Sequence, residues 1–242
     1  EGDEISVYAW TGAPTVAPET SERVVNNAIN KLTNGSWVST PQMLWKNNRD
    51  KHYFIGVYPI SAISDLSAGE YTFDETKQVE SDLLVAVNKD GLSYNVDEQQ
   101  PVPLTFTHVM AKLAVNLTYK NQWGGIPTVE KVVVGNAAKE ATINYLTKVV
   151  TPSTTAKEDF SLPEITENTK YVSVIIPQED VKQLTIVIGG KNFVYDNGTP
   201  FKLESGKITT VNLEVGRDEI KLGDVKITDW ENGSTFSGEA LN

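Results

Sequence analysis

The clearest pattern in the chain is alternation. From Thr107 onward, Thr107, Val109, Ala111, Leu113, Val115, Leu117 and Tyr119 fall on one side, and His108, Met110, Lys112, Asn116, Thr118 and Lys120 on the other. This predicts a strand with one core face and one mostly polar face, because a helix would scatter the same residues around its circumference. At ~3.4 Å per residue the strand would run roughly 40 Å, enough to serve two sheets or to bend between them.

The same reading recurs. YVSVII (171–176), LTIVI (184–188), FVY (193–195) and ITTVNLEV (208–215) are rich in β-branched and aromatic residues, and EISVYAW (4–10), HYFIGVYP (52–59), EKVVV (130–134) and VKITDW (225–230) follow suit. Gly189-Gly190 between two strands predicts a hairpin, since glycine accepts positive φ, and Asp90-Gly91 within 83–96 predicts another. One segment departs from this. In 21–35, Val25, Ile29 and Leu32 recur at helical spacing, with Ser21 placed to cap the start and Gly35 beyond the end, which predicts a short helix. Strands at this spacing without alternating helices predict an all-β protein of antiparallel β-sandwiches. The polar stretch 97–104, with Pro101 and Pro103, marks a boundary, giving an N-terminal sandwich over 1–103 and a C-terminal one over 104–242.

Charge narrows the partners. With 21 Lys and Arg against 32 Asp and Glu the net charge is −11. Without a basic cluster, such a chain repels phosphate backbones and anionic lipid, which argues against nucleic acid and direct membrane-surface binding. Cysteine is absent, so disulfides, thiolate metal sites and a Cys nucleophile are excluded. No stretch is apolar enough to span a bilayer as a helix. The chain opens on Glu1 rather than Met, which fits removal of a signal peptide; a lipid-anchoring Cys would have to precede residue 1.

Candidate chemistry is sparse. His52 and His108 are the only histidines and show no metal-ligand spacing, so His108 is read as bonding a neighbouring strand or loop. There is no nucleophile elbow and no phosphate loop, and DEQQ (97–100) and DNG (196–198) lack a calcium-loop layout. Thirty-two acidic residues will always supply some carboxylate pair, so their number does not indicate a glycosidase. No cofactor and no metal are expected. Of five tryptophans, Trp10, Trp37, Trp45, Trp123 and Trp230, only Trp123 sits in a Gly/Pro loop, where it could stack on a sugar ring. A surface carbohydrate-binding sandwich is the alternative reading, and a glycan hydrolase a distant third.

Several segments in order carry a resemblance. These are MLWKNNRDKHYFIGVYP (43–59), SDLLVAV (81–87), PLTFTHVMAKLAVNLTY (103–119), VIIPQ (174–178), LTIVIGGKNFVY (184–195), ESGKITTVNLEV (204–215) and LGDVKITDWENG (222–233). Together they resemble the fimbrillin-like proteins of Bacteroidales, over nearly the whole chain. The resemblance implies two tandem transthyretin-like or Ig-like sandwiches without catalytic duty. It implies export as a lipoprotein to the outer membrane and assembly with other fimbrial subunits into a type V pilus by donor-strand exchange, with adhesion to a host or bacterial surface ligand. It further implies that a protease clips near the N-terminus and the first strand leaves. Here that strand would carry Ile5, Val7 and Ala9 on one face, a linker with Pro14 and Pro18 would follow, and Arg23 would be the cleavage point. The stretch 233–242 is short for a donor strand, so a tip or accessory subunit is expected rather than a stalk subunit.

Overall fold

The computed structural model describes residues 2–97, 101–196, 198–217 and 220–230. Its strands are β1 (Glu4–Thr11), β2 (Arg23–Thr33), β3 (Ser36–Thr40), β4 (His52–Tyr58), β5 (Gly69–Thr72), β6 (Leu84–Leu92), β7 (Thr107–His108), β8 (Ala111–Tyr119) and β9 (Val129–Ala138). They continue with β10 (Glu140–Asn144), β11 (Val149–Pro152), β12 (Lys157–Leu162), β13 (Glu164–Thr166), β14 (Lys170–Ile175), β15 (Gln183–Ile188), β16 (Lys191–Asp196), β17 (Lys207–Val215) and β18 (Ile220–Asp229). Among the described residues helix is confined to one turn, α1 (Tyr94–Asp97), and two short 3₁₀ segments, so the fold is all-β as expected.

The strands form four sheets, ordered β3-β2-β1-β4-β6-β7, β11-β10-β5, β12-β9-β15-β16 and β13-β14-β8-β17-β18. All neighbours are antiparallel except β8 and β17, which run parallel from Lys112↔Ile208 to Tyr119↔Val215. The β10–β11 hairpin, from the second half of the chain, pairs through β10 with β5 from the first. One continuous core takes residues from all four sheets, among them Tyr8, Ile55, Ile143, Leu184, Leu113 and Val211.

The long alternating segment is divided between two sheets. β7 pairs with β6, and β8 pairs with β14 and β17. The chain crosses at Val109 and Met110, both buried. A buried crossing must still bond its backbone. The Val109 N–H donates to the Leu83 carbonyl (3.0 Å), and the Met110 carbonyl accepts from the Gly206 N–H (2.9 Å). The Ser205 hydroxyl donates to the Val109 carbonyl (2.8 Å). Past the crossing Leu113, Val115 and Leu117 are buried, while Lys112 and Asn116 are half-exposed, as the alternation predicts.

Two sequence expectations are corrected. The segment 21–35 is not a helix: a 3₁₀ turn (Thr20–Glu22) leads into β2, and Asn34-Gly35 turns the chain into β3. The three-residue spacing that imitates a helix comes from a β-bulge. Ala9 pairs with Val25 but Val7 with Ala28, so β2 carries one extra residue there, with Asn27 at φ 59°. Val25 and Ala28 thereby reach the same face. Nor does Asp90-Gly91 close a hairpin. β6 runs through it with a bulge against β4, Gly91 has φ 68°, and a Cβ there would lie 2.7 Å from the Tyr53 ring. The Gly189-Gly190 hairpin is present, with φ 58° and 70° and Ile188 paired to Lys191.

The two faces of β8 predict unequal tolerance to substitution. Leu113 has no exposed surface, so Leu113→Asp should cost on the order of several kcal/mol by burying an unpaired charge. Lys112 extends over the Trp230 ring, its Nζ 4.1 Å from the ring centre, so Lys112→Gln should cost roughly 0.5–1 kcal/mol. Thermal melts of the two variants should differ accordingly, and equal losses would reject the face assignment.

Candidate functional site

The chemistry-poor sequence leaves the first strand as the feature to examine. β1 lies inside the six-stranded sheet, with β2 on one side from Glu4↔Lys31 to Trp10↔Arg23 and β4 on the other from Ser6↔Val57 to Thr11↔His52. Its two faces enter different clusters. Tyr8 and Trp10 belong to the main core. Ile5, Val7 and Ala9 share the opposite face, as expected, and are buried with Val25, Ala28 and Phe54 under Met43, Trp45, Leu104 and Phe106. Phe106 comes so close to β4 that a Cβ on Gly56 would lie 2.7 Å from its ring. The cover is incomplete. A groove of about 250 Å³ is lined by Ile5, Val7, Asn30, Trp37, Leu104 and Phe106. Another of about 130 Å³ is lined by Ala9, Val25, Met43, Trp45, His52 and Val102.

Polar groups fasten β1 to the segment after β4. The Ser6 hydroxyl accepts from the Ser61 N–H (2.9 Å), and the Tyr8 hydroxyl accepts from the Ile63 N–H (2.9 Å) while donating to the Ser61 carbonyl. Burial raises the Tyr8 pKa, which keeps the phenol neutral and able to donate. Arg23 joins the same segment. Nη1 donates to the Ile63 carbonyl (2.6 Å) and to Asn26 Oδ1 (2.9 Å), Nη2 donates to the Ser64 carbonyl (2.5 Å), and the guanidinium lies 5.4 Å from the Tyr8 ring centre. Arg23 is therefore only 8 % exposed. Arg49, by contrast, is exposed, and residues 11–22 contain no Lys or Arg. Cleavage after Arg23 requires the side chain to leave this pocket first. Nothing local in the sequence marked Ser6, Tyr8 or residues 61–64, because the partners in these bonds lie 40 or more residues apart.

The other singled-out residues lie elsewhere. Trp123 packs against the core, its ring N–H donating to the Val215 carbonyl (3.0 Å), its edge on Phe193 and the Arg217 guanidinium 5.7 Å from its centre. His108 donates from Nδ1–H to Asp82 Oδ1 (2.8 Å) and stacks on Trp230 at 3.7 Å between ring centres. His52 lies against Trp45 at the smaller groove. Of the calcium-loop candidates, residues 98–100 and 197 lie outside the described residues.

The model of the family described as fimbrillin-like covers residues 1–230. The chain belongs to the fimbrillin-like family. No curated protein matches it. Among solved structures, a candidate cell-adhesion protein from Bacteroides uniformis superposes with a TM-score of 0.74 at 19 % identity, over 95 % of this chain and 92 % of that one. A fimbrial protein from Bacteroides vulgatus gives 0.59 at 11 % identity, over 93 % and 92 %. The tip fimbrial protein Mfa3 from Porphyromonas gingivalis, truncated at its C-terminus, gives 0.55 at 9 % identity, over 95 % of each chain. At these identities the likeness shows a shared fold. Fimbrillin-like proteins are structural and non-enzymatic.

His52, at the smaller groove, should make the stability of this fimbrillin-like protein depend on pH. Its Nδ1–H donates to the Asp50 carbonyl (3.0 Å), which leaves Nε2 to accept from the Lys46 N–H (3.0 Å). A proton on Nε2 would break the second bond, and burial lowers the pKa below its usual 6.5. The folded state thus binds the proton less readily than the unfolded chain. Stability is fully present above pH ~6.5 and falls as pH drops through that value towards the folded pKa. Melting temperatures should decline between about pH 7 and pH 5, with a smaller decline in His52→Gln. Identical profiles would refute the assignment.

Proposed function

We propose that this protein is a cell-surface fimbrial subunit of the Bacteroidales type that joins other subunits by strand exchange at β1. Family membership supports the subunit role. The observation that carries the exchange is the place of β1. It is bonded on both edges and buried on both faces, so its departure would leave a slot between β2 and β4 with unpaired backbone on each side and apolar walls above and below. An incoming strand that restores both sets of bonds and presents small apolar residues at alternate positions fits that slot. Processing after Arg23 belongs to the same proposal, as a step that follows opening of the pocket around its guanidinium. So do a division near residue 103 into two sandwiches, a tip or accessory position, an adhesive contact with a surface ligand, and delivery to the outer membrane through a lipid anchor ahead of residue 1. Glycan capture by Trp123 has less support, because its ring N–H and one flank are already engaged.

The test opens the chain where it is exposed. Residues 12, 13, 15 and 16 are exposed, so a specific protease sequence placed there can be cut without disturbing the core. After cutting and a brief pulse of mild denaturant, a labelled peptide of residues 3–11 should enter the slot and remain bound through size-exclusion chromatography. The same peptide with Val7→Asp should not. Retention of the original strand with no uptake, or equal uptake of both peptides, would reject exchange at β1.

A further inference from the structure

β3 is the outer strand of the six-stranded sheet, bonded to β2 and to no other strand among the described residues. The turn decides which of its backbone groups face outward. Asn34 and Gly35 both have positive φ, 51° and 73°, and the two-residue loop closes on Thr33↔Ser36. In such a hairpin the closing pair is hydrogen-bonded, and bonded and non-bonded pairs then alternate. Ser36, Val38 and Thr40 therefore spend their N–H and C=O groups on β2, while Trp37 and Ser39 turn theirs outward. Leu32, opposite Trp37, agrees. Its N–H donates to the Asp3 carbonyl (2.8 Å) and its carbonyl accepts from the Gly2 N–H (2.8 Å), so neither is directed at Trp37.

This edge has no charged residue and no proline within the strand. Sheet edges are kept apart by charge, proline or brevity. Here β12 carries Lys157, Glu158 and Asp159, β16 carries Lys191 and Asp196, β18 carries Lys226 and Asp229, β5 and β13 carry Glu70 and Glu164, β11 ends in Pro152, and β7 has two residues. β3 reads Ser-Trp-Val-Ser-Thr, with Trp37 48 % and Val38 55 % exposed.

We propose that β3 is a docking edge for β3 of a second copy of this chain, antiparallel about a two-fold axis through Val38. The strand itself specifies this occupant. Its outward-facing residues, 37 and 39, are symmetric about 38, so the axis sets Trp37 opposite Ser39 of the second copy and Ser39 opposite its Trp37. Each pair exchanges two backbone hydrogen bonds, and every outward group finds a partner. Val38 meets Val38 of the second copy at the non-bonded position, where Cα atoms approach to about 4.5 Å. No charges oppose each other across the junction. The contact joins subunits side by side, away from the β1 slot, and holds whether or not β1 exchanges. Because each copy carries a net charge of −11, association strengthens as salt screens the repulsion.

The absence of cysteine makes the test specific. At about 4.5 Å, the Cα separation in a Val38→Cys protein lies within the disulfide range, so mild oxidation of the full chain should give a covalent dimer. Val16→Cys, with the native residue 62 % exposed on a different surface, should dimerise only slowly. In sedimentation velocity the unmodified protein should self-associate more at high salt than at low. Val38→Lys, which sets two ammonium groups face to face, should weaken association roughly fivefold or more. Equal cross-linking rates for the two Cys variants, or identical sedimentation of the unmodified and Val38→Lys proteins, would overturn the proposal. Failure of peptide uptake at β1 would leave it untouched.

Discussion

A strand inside a sheet must bond along both edges, and when both faces are also covered nothing in it is free to vary. β1 meets that condition, and much of the N-terminal half is arranged to meet it. The bulge in β2 brings Val25 and Ala28 to one face. Gly56 on β4 gives Phe106 room to lie over the sheet. Residues 61–64 take up the hydroxyls of Ser6 and Tyr8 and the guanidinium of Arg23. The proposed strand exchange rests on these features. A segment whose loss exposes two rows of backbone and two apolar walls is the segment whose replacement recovers the most free energy.

The second constraint is the crossing at Val109 and Met110. One alternating run supplies a short edge to the six-stranded sheet and then an inner strand of the five-stranded sheet. Its buried backbone is satisfied by Leu83, Ser205 and Gly206. Beside it Trp230 stacks on His108 and lies under Lys112, and His108 is paired with Asp82. The end of β18 is thereby tied to the point where the chain changes sheets. Together with the β10–β11 hairpin reaching back to β5, this is why the apolar core is continuous across the length of the chain.

Surface character divides along the same lines. Most open edges carry charge, which opposes pairing with other sheets. β3 is an edge without charge or proline in the strand, and the incompletely covered grooves beside β1 lie on the same sheet. Trp37 belongs to both the edge and the larger groove.

How much of this was legible in the residues depends on the range of the interaction involved. The alternation at 107–119, the Gly189-Gly190 turn and the apolar face Ile5-Val7-Ala9 were fixed locally, because side-chain period and glycine φ act within a few residues. Absence of Cys and the acidic balance excluded whole classes of chemistry without reference to the fold. Tertiary structure decided what depends on pairing. Val25, Ala28 and Ile29 have helical spacing in isolation, and only the register of β2 against β1 turns that spacing into a bulged strand. Asn34-Gly35 is a strong hairpin signal that a supposed helix end concealed. Arg23 follows a linker, where the resemblance sets a cleavage point, and carbonyls 40 and 41 residues away draw it inside. Sequence by itself thus set the strand periods and the poverty of reactive groups. The register, the crossing and the burial of polar side chains came from contacts between distant segments, which no local pattern encodes.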